Sequence, residues 1–190
     1  MEKQLSFLEN KPTHKIKKQS PTKKQKATPS KTEKFQLFTD GASKGNPGPS
    51  GAGMYLEKNE KEVFGKDFYL GEKTNNQAEY LALCLGIFYF KKELKKQKKK
   101  TATITIISDS QLLVRQMIGF YKVKDPVLQN LKALAQSLLE DIDAHFKHVL
   151  RAYNKKADAL ANKAVEQKSD SISKEFLSLL KKHNLENLLK

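Results

Sequence analysis

Residues 101–107, TATITII, are β-branched with no alternation of polar and apolar positions. A strand with one wet face alternates with period two, so this run is expected of a central strand covered on both sides. Helices must then pack on both faces of its sheet, which makes the chain an α/β protein. "FQLFT" (35–39) alternates as a second strand. "GAGMYLE" (51–57) and "KEVFGKDFYL" (61–70) read as a hairpin that extends it. "TNNQ" at 74–77 is a capping box, and the helix it opens is apolar nearly all round over 78–90, the mark of burial on most faces. Next come a short helix (110–118), a break at Gly119, a helix opened by Asp125-Pro126 and running to about 141, a strand at 144–149 and a helix beginning near Asn154. The order β-β-β-α-β-α-α-β-α predicts an antiparallel hairpin joined to parallel central strands.

The two ends read differently. Residues 10–34 mix Lys, Pro, Ser and Thr with almost nothing apolar, and cannot bury enough surface to offset the entropy of ordering. This divides the chain into a basic disordered tail (1–34), a globular domain (35–168) and an amphipathic helical extension (169–190). The extension either docks on the domain or offers a partner surface. Within the tail, Leu5, Phe7 and Leu8 form a small apolar island. It reads as a frayed terminus or as a docking peptide, since Gln4-Leu5-Ser6-Phe7-Leu8 resembles the pentapeptides that bind bacterial sliding clamps. A formal net charge of +15 points to polyanionic partners, most often nucleic acid and sometimes an anionic membrane surface. The single Cys84 excludes an internal disulfide and suits a reducing cytosol. The longest apolar run, 80–90, is too short to span a bilayer, and no export signal precedes it. A cytoplasmic, monomeric protein with no membrane partner is expected.

Four carboxylates stand apart from the solvated charges. Asp40 directly follows FQLFT and Asp109 follows TATITIIS. If those strands are neighbours, the two emerge side by side at the sheet edge where open α/β folds bind ligands. Glu79 lies on the first turns of the buried helix. Asp158 flanks the stripe of Ala157, Leu160, Ala161 and Ala164, with Asn154 four residues earlier on its face. Acids gathered without lysines repel one another and hold their protons unless a divalent cation neutralises them. Oxygen ligands alone suit Mg²⁺ or Mn²⁺ rather than zinc. Two such ions are the usual apparatus of in-line phosphoryl displacement.

The segments "TDGASKGNPGPSGAG", "TNNQAEYLAL", "SDSQLLVRQMIG" and "RAYNKKADALANKA" resemble the four ordered motifs of type 1 ribonuclease H, over about residues 35–167. The resemblance implies a five-stranded mixed sheet of order 3-2-1-4-5 with helices on both faces. It implies that Asp40, Glu79, Asp109 and Asp158 are the catalytic metal ligands, holding two Mg²⁺ ions, with Mn²⁺ as the alternative. The implied reaction is internal cleavage of the RNA strand of an RNA–DNA hybrid, leaving 3′-hydroxyl and 5′-phosphate ends. Asn46, Asn75, Asn76 and Gln111 match the positions that contact the hybrid's minor groove, and Asn154 is grouped with these substrate contacts. Amides there can read 2′-hydroxyls, although Asn75 and Asn76 also read as plain first-turn helix residues.

Two departures from the family pattern matter. His148 has the spacing of the histidine that assists many relatives, yet "FKHVLRAYN" resembles the subgroup with an Arg-x-x-Asn turn, with Arg151 a candidate phosphate contact. The basic handle of some relatives is missing, because "GFYKVKDPV" is too short. Lysines crowd instead into 91–100, where they are expected to contact phosphates or to form a solvated helix end. Rival readings fare worse. The glycine stretch lacks the end of a P-loop, a catalytically dead hybrid-binding module would have lost a carboxylate, and a DNA-cleaving relative has no use for the amide set.

Overall fold

The computed structural model describes residues 33–99, 102–168 and 172–189; the clamp-like segment at 4–8 and the rest of 1–32 lie outside these. The strands are β1 (Phe35–Ser43), β2 (Gly48–Lys58), β3 (Lys61–Lys73), β4 (Ala102–Ser108) and β5 (Ile142–His148). The helices are α1 (Asn75–Lys96), α2 (Gln111–Met117), α3 (Pro126–Leu138), α4 (Lys155–Gln167) and α5 (Lys174–Lys182), with a 3₁₀ turn at Arg151–Tyr153. The sheet order is β3-β2-β1-β4-β5. Its first three strands are antiparallel, and β1, β4 and β5 are parallel.

The predicted capping box forms. The Thr74 hydroxyl accepts from Gln77 N, and the Gln77 side chain accepts from Thr74 N. The helix it opens is buried along most of its length, with Leu81, Leu83, Leu85 and Ile87 fully enclosed. One side of α1 covers Leu37 and Thr39 of β1, and α3 brings Leu131 and Leu134 into the same core. Burying each such side chain contributes about 2 kcal/mol. Strand alternation sends Asp40 and its cross-strand partner Gly53 to the other face, where α4 packs.

The helices approach unusually closely where glycine leaves room. A Cβ on Gly41 would lie 2.2 Å from Glu79 N and 2.3 Å from Ala78 C. A Cβ on Gly53 would lie 2.1 Å from Ala157 O, and one on Gly51 would lie 2.4 Å from Ala161 O. Glycines that read in the sequence as the opening of a strand are also the seat of a helix.

Several boundaries differ from the sequence reading. Asp40 does not follow β1; it lies within it, because the glycines of β2 allow antiparallel pairing to continue to Ser43↔Ser50. Helix α3 ends at Leu138 rather than near 141, and β5 begins at Ile142 rather than 144, so the strand takes up residues 142 and 143 of the expected turn. The C-terminal ambiguity is resolved towards docking. Phe176 and Leu180 of α5 are buried, the Phe176 ring stands 5.4 Å from Phe88 on α1, and Glu175 pairs with Lys92 at 2.6 Å.

Gly53→Ala drives a methyl group into the α4 backbone and is expected to cost about 2–3 kcal/mol, read as a lower urea midpoint at unchanged slope.

Candidate active site

Strands β1 and β4 pair in parallel from Phe35↔Ile104 to Phe38↔Ile107, and each aspartate lies two residues beyond the last pair. Asp40 and Asp109 therefore stand abreast at the carboxyl end of the sheet. Beyond Asp109 the chain turns at once into α2. Ser110 N donates to Ser108 Oγ at 3.0 Å and the Ser110 hydroxyl caps Leu113 N, so the turn is held at both sides. Glu79 arrives through the Gly41 contact. The Gly41 N–H donates to its carboxylate, while Glu79 Oε2 is buried with no hydrogen-bond partner among the described residues. Asp158 sits in the first turn of α4, where Arg151 Nε donates to its Oδ1 at 3.0 Å and Arg151 Nη2 donates to the same oxygen.

A cleft of about 210 Å³ is lined by Asp40, Gly41, Glu79, Asp109, Asn75, Arg151 and Asn162 among others. No lysine lines it among the described residues. Burial first, then the charges of Asp109 and Asp158, raise the Asp40 carboxyl from 3.8 to about 7, with Arg151 pulling it back only in part. Burial, followed by Asp40 and Asp109, holds Glu79 well above the ordinary carboxylate range against the opposing pull of the Gly41 N–H. As the side chains stand, no three Asp, Glu, His or Cys groups among the described residues surround one point. The donor set nevertheless fits a hard divalent cation: it is all oxygen, one of its buried carboxylate oxygens lacks a partner, and burial with mutual repulsion raises the proton affinity of two of the acids, which a cation would relieve.

The candidate substrate residues divide. Asn46, Asn75, Asn76 and Gln111 are all exposed, Asn75 lines the cleft, and Asn46 Oδ1 accepts from Asn75 N at 3.0 Å, tying the β1–β2 loop to the start of α1. Asn154 departs from the expectation. It is 1% exposed, and its amide nitrogen donates to Thr39 O at 3.0 Å and to Asp109 Oδ1 at 2.7 Å. Its amide nitrogen is thus engaged inside the protein, while its Oδ1 is buried with no hydrogen-bond partner among the described residues. Arg151, a candidate phosphate contact, lies on Asp158. His148 closes β5, exposed, with Nε2 3.2 Å from Asp109 O, a donor distance for the Nε2–H tautomer.

Among the described residues, the lysines of 91–99 do not line this cleft. They lie at the opposite end of α1 from Glu79, about 18–24 Å along the axis for Lys91 to Lys95 at 1.5 Å per residue. The sequence reading missed Asn162, which lines the cleft and donates to Asp158 O at 2.9 Å. Its spacing of four from Asp158 was the available signal.

The family pattern described as RNase H matches residues 32–166. Ribonuclease HI of Halobacterium salinarum is 36% identical over 146 residues, covering 73% of this chain and 67% of that protein. Ribonuclease H of Pseudomonas putida is 32% identical over 155 residues, covering 72% and 96%. Among solved structures, LC11-RNase H1 in complex with an RNA/DNA hybrid has a TM-score of 0.66 at 33% identity, covering 70% of this chain and 98% of that one.

The raised carboxyls set a pH dependence for the metal-free protein. Folded Asp40 binds its proton more tightly than the unfolded chain does, so stability is lost as pH rises from about 4 to about 7. In EDTA, Asp40→Asn is expected to raise the melting temperature at pH 8 by roughly 3–8 °C and to flatten its slope between pH 5 and pH 8. A melting temperature at pH 8 unchanged by the substitution would contradict the burial of an acid there.

Proposed function

We propose, on the premise that this chain belongs to the RNase H family and is a ribonuclease H hydrolase, that it cuts the RNA strand of RNA–DNA hybrids internally, leaving 3′-hydroxyl and 5′-phosphate ends. The observation that carries this reading is the gathering of Asp40, Glu79 and Asp109 on one lysine-free cleft, with Asp158 held at its margin by Arg151. Asp40, Glu79, Asp109 and Asp158 would hold two Mg²⁺ ions, or Mn²⁺ in their place. When bound, such ions supply charge to the reacting phosphate and acidify a water molecule.

The rest of the work falls to the chain. Asn154 fixes the Asp109 carboxylate by a short amide hydrogen bond and ties it to the Thr39 carbonyl within β1. Asn46, Asn75, Asn76 and Gln111 present amide edges that donate to and accept from 2′-hydroxyls, which is how RNA is told from DNA. The Arg151 guanidinium, on Asp158, offsets part of the acids' charge and would meet a phosphate oxygen of the substrate. His148, beside the Asp109 carbonyl, can hold a proton at its imidazole at the cleft edge.

No helix among the described residues is long and apolar enough to cross a membrane, and we place the enzyme in the cytoplasm as a monomer. Residues 4–8 remain the candidate sliding-clamp contact, for which a peptide spanning 1–10 should bind a clamp in solution.

Asp109→Asn should lower hybrid cleavage by about a thousandfold or more while leaving hybrid binding in place, and EDTA should abolish cleavage by the native chain. Single-stranded RNA and duplex DNA should be spared. Full activity in the Asp109→Asn variant would remove the metal-ligand assignment. His148→Ala separates two roles: proton handling predicts a kcat lower by about a hundredfold, whereas an unchanged kcat leaves His148 a strand-end residue.

A further inference from the structure

The basic end of α1 is built around a second cavity. This hollow of about 390 Å³ has a floor of Phe88 and Leu94 from α1, Leu138 from α3 and Ile142 from β5, with Leu179 of α5 at its side. Four lysines, Lys91, Lys92, Lys95 and Lys99, and one acid, Asp141, line the hollow, and among the described residues Lys91 and Lys95 are the two of the four without an ion pair. Two of them already engage carboxylates of this chain: Lys92 holds Glu175 at 2.6 Å, and Lys99 pairs with Glu33. The rim thus captures acidic side chains, while the floor offers hydrocarbon.

A ligand for this site has to satisfy both parts. Nucleic-acid phosphates satisfy only the rim, because bases in a hybrid stay stacked and bring no apolar group to the floor. An acidic peptide carrying a leucine or phenylalanine satisfies both, with carboxylates on the lysines and the apolar side chain in the hollow. We infer that this cavity docks a short acidic segment of another protein through a large apolar side chain. The site lies about 18–24 Å along α1 from Glu79, so peptide and nucleic acid can be held together. The inference does not depend on the reaction proposed for the cleft.

The test is a titration of the full chain into a fluorescein-labelled peptide, a run of glutamates followed by leucine and phenylalanine, read by anisotropy. Saturable binding is expected with a Kd of roughly 1–100 μM at low salt, weakening as salt is added. Alanines in place of the leucine and phenylalanine should weaken binding by about tenfold or more, as should the double variant Lys91→Glu with Lys95→Glu. No saturation by ~1 mM overturns the proposal. Equal affinity for the alanine peptide also overturns it, since attraction would then be charge alone, and so does undiminished binding by the double variant. Thermal melting establishes that the variant is folded; if it is not, the alanine peptide on the native chain decides.

Discussion

Everything at the carboxyl end of the sheet depends on backbone touching backbone. At Gly41 the first turn of α1 rests on β1, and at Gly51 and Gly53 the turns of α4 rest on β2. A methyl group at any of these positions would fall within about 2.1–2.4 Å of a main-chain atom. Such contacts cannot relax by a side chain changing rotamer, so they set helix height and rotation more tightly than ordinary packing does. Glu79 and Asp158 ride on those two helices. Their approach to Asp40 and Asp109 therefore follows from what the strands lack as much as from the acids themselves.

That approach opposes stability. Burial raises the proton affinity of Asp40 and Glu79, and the neighbouring acids, with no lysine among them, add to the effect. The arrangement is the kind of local conflict that a fold tolerates at a functional site and offsets elsewhere. Here the offset is the apolar α1, enclosed by the sheet, α3 and the docked α5. Arg151 moderates the conflict from outside the acids. Asn154, buried between Thr39 and Asp109, gives one of the four a fixed orientation.

Helix α1 also separates two kinds of chemistry. Its first turns carry a carboxylate into a cleft without lysine, and its last turns carry lysines around an apolar hollow. Basic side chains near the cleft would compete with cations for the carboxylates, and the far end keeps them apart from it. At that end they also complement the partial negative charge of the helix terminus. The formal charge of +15 is in this respect a property of regions, not of the molecule as a whole.

Much was legible because the signals were local. The capping box at Thr74, the β4 strand and the Asp125-Pro126 helix start depend on neighbours along the chain, and each appears where the sequence placed it, although Thr103 is exposed and Thr105 half-buried, so β4 is not covered on both sides along its whole length. The likeness carried by the four motif segments extended this to strand order and to the family, and it named the four acids as a set. What the sequence by itself determined, then, was the elements, their order and the residues worth watching. Tertiary structure alone decided which groups meet. Asn154 has the look of a solvent-facing amide until α4 is seated on glycine and turns it inward. The sequence shows a lysine cluster following the apolar helix, but only the length of α1 puts Lys91 to Lys95 about 18–24 Å from Glu79. The amphipathic tail could face either way until Phe176 found Phe88. In each case the deciding quantity is a distance between elements remote in sequence, which no local propensity encodes.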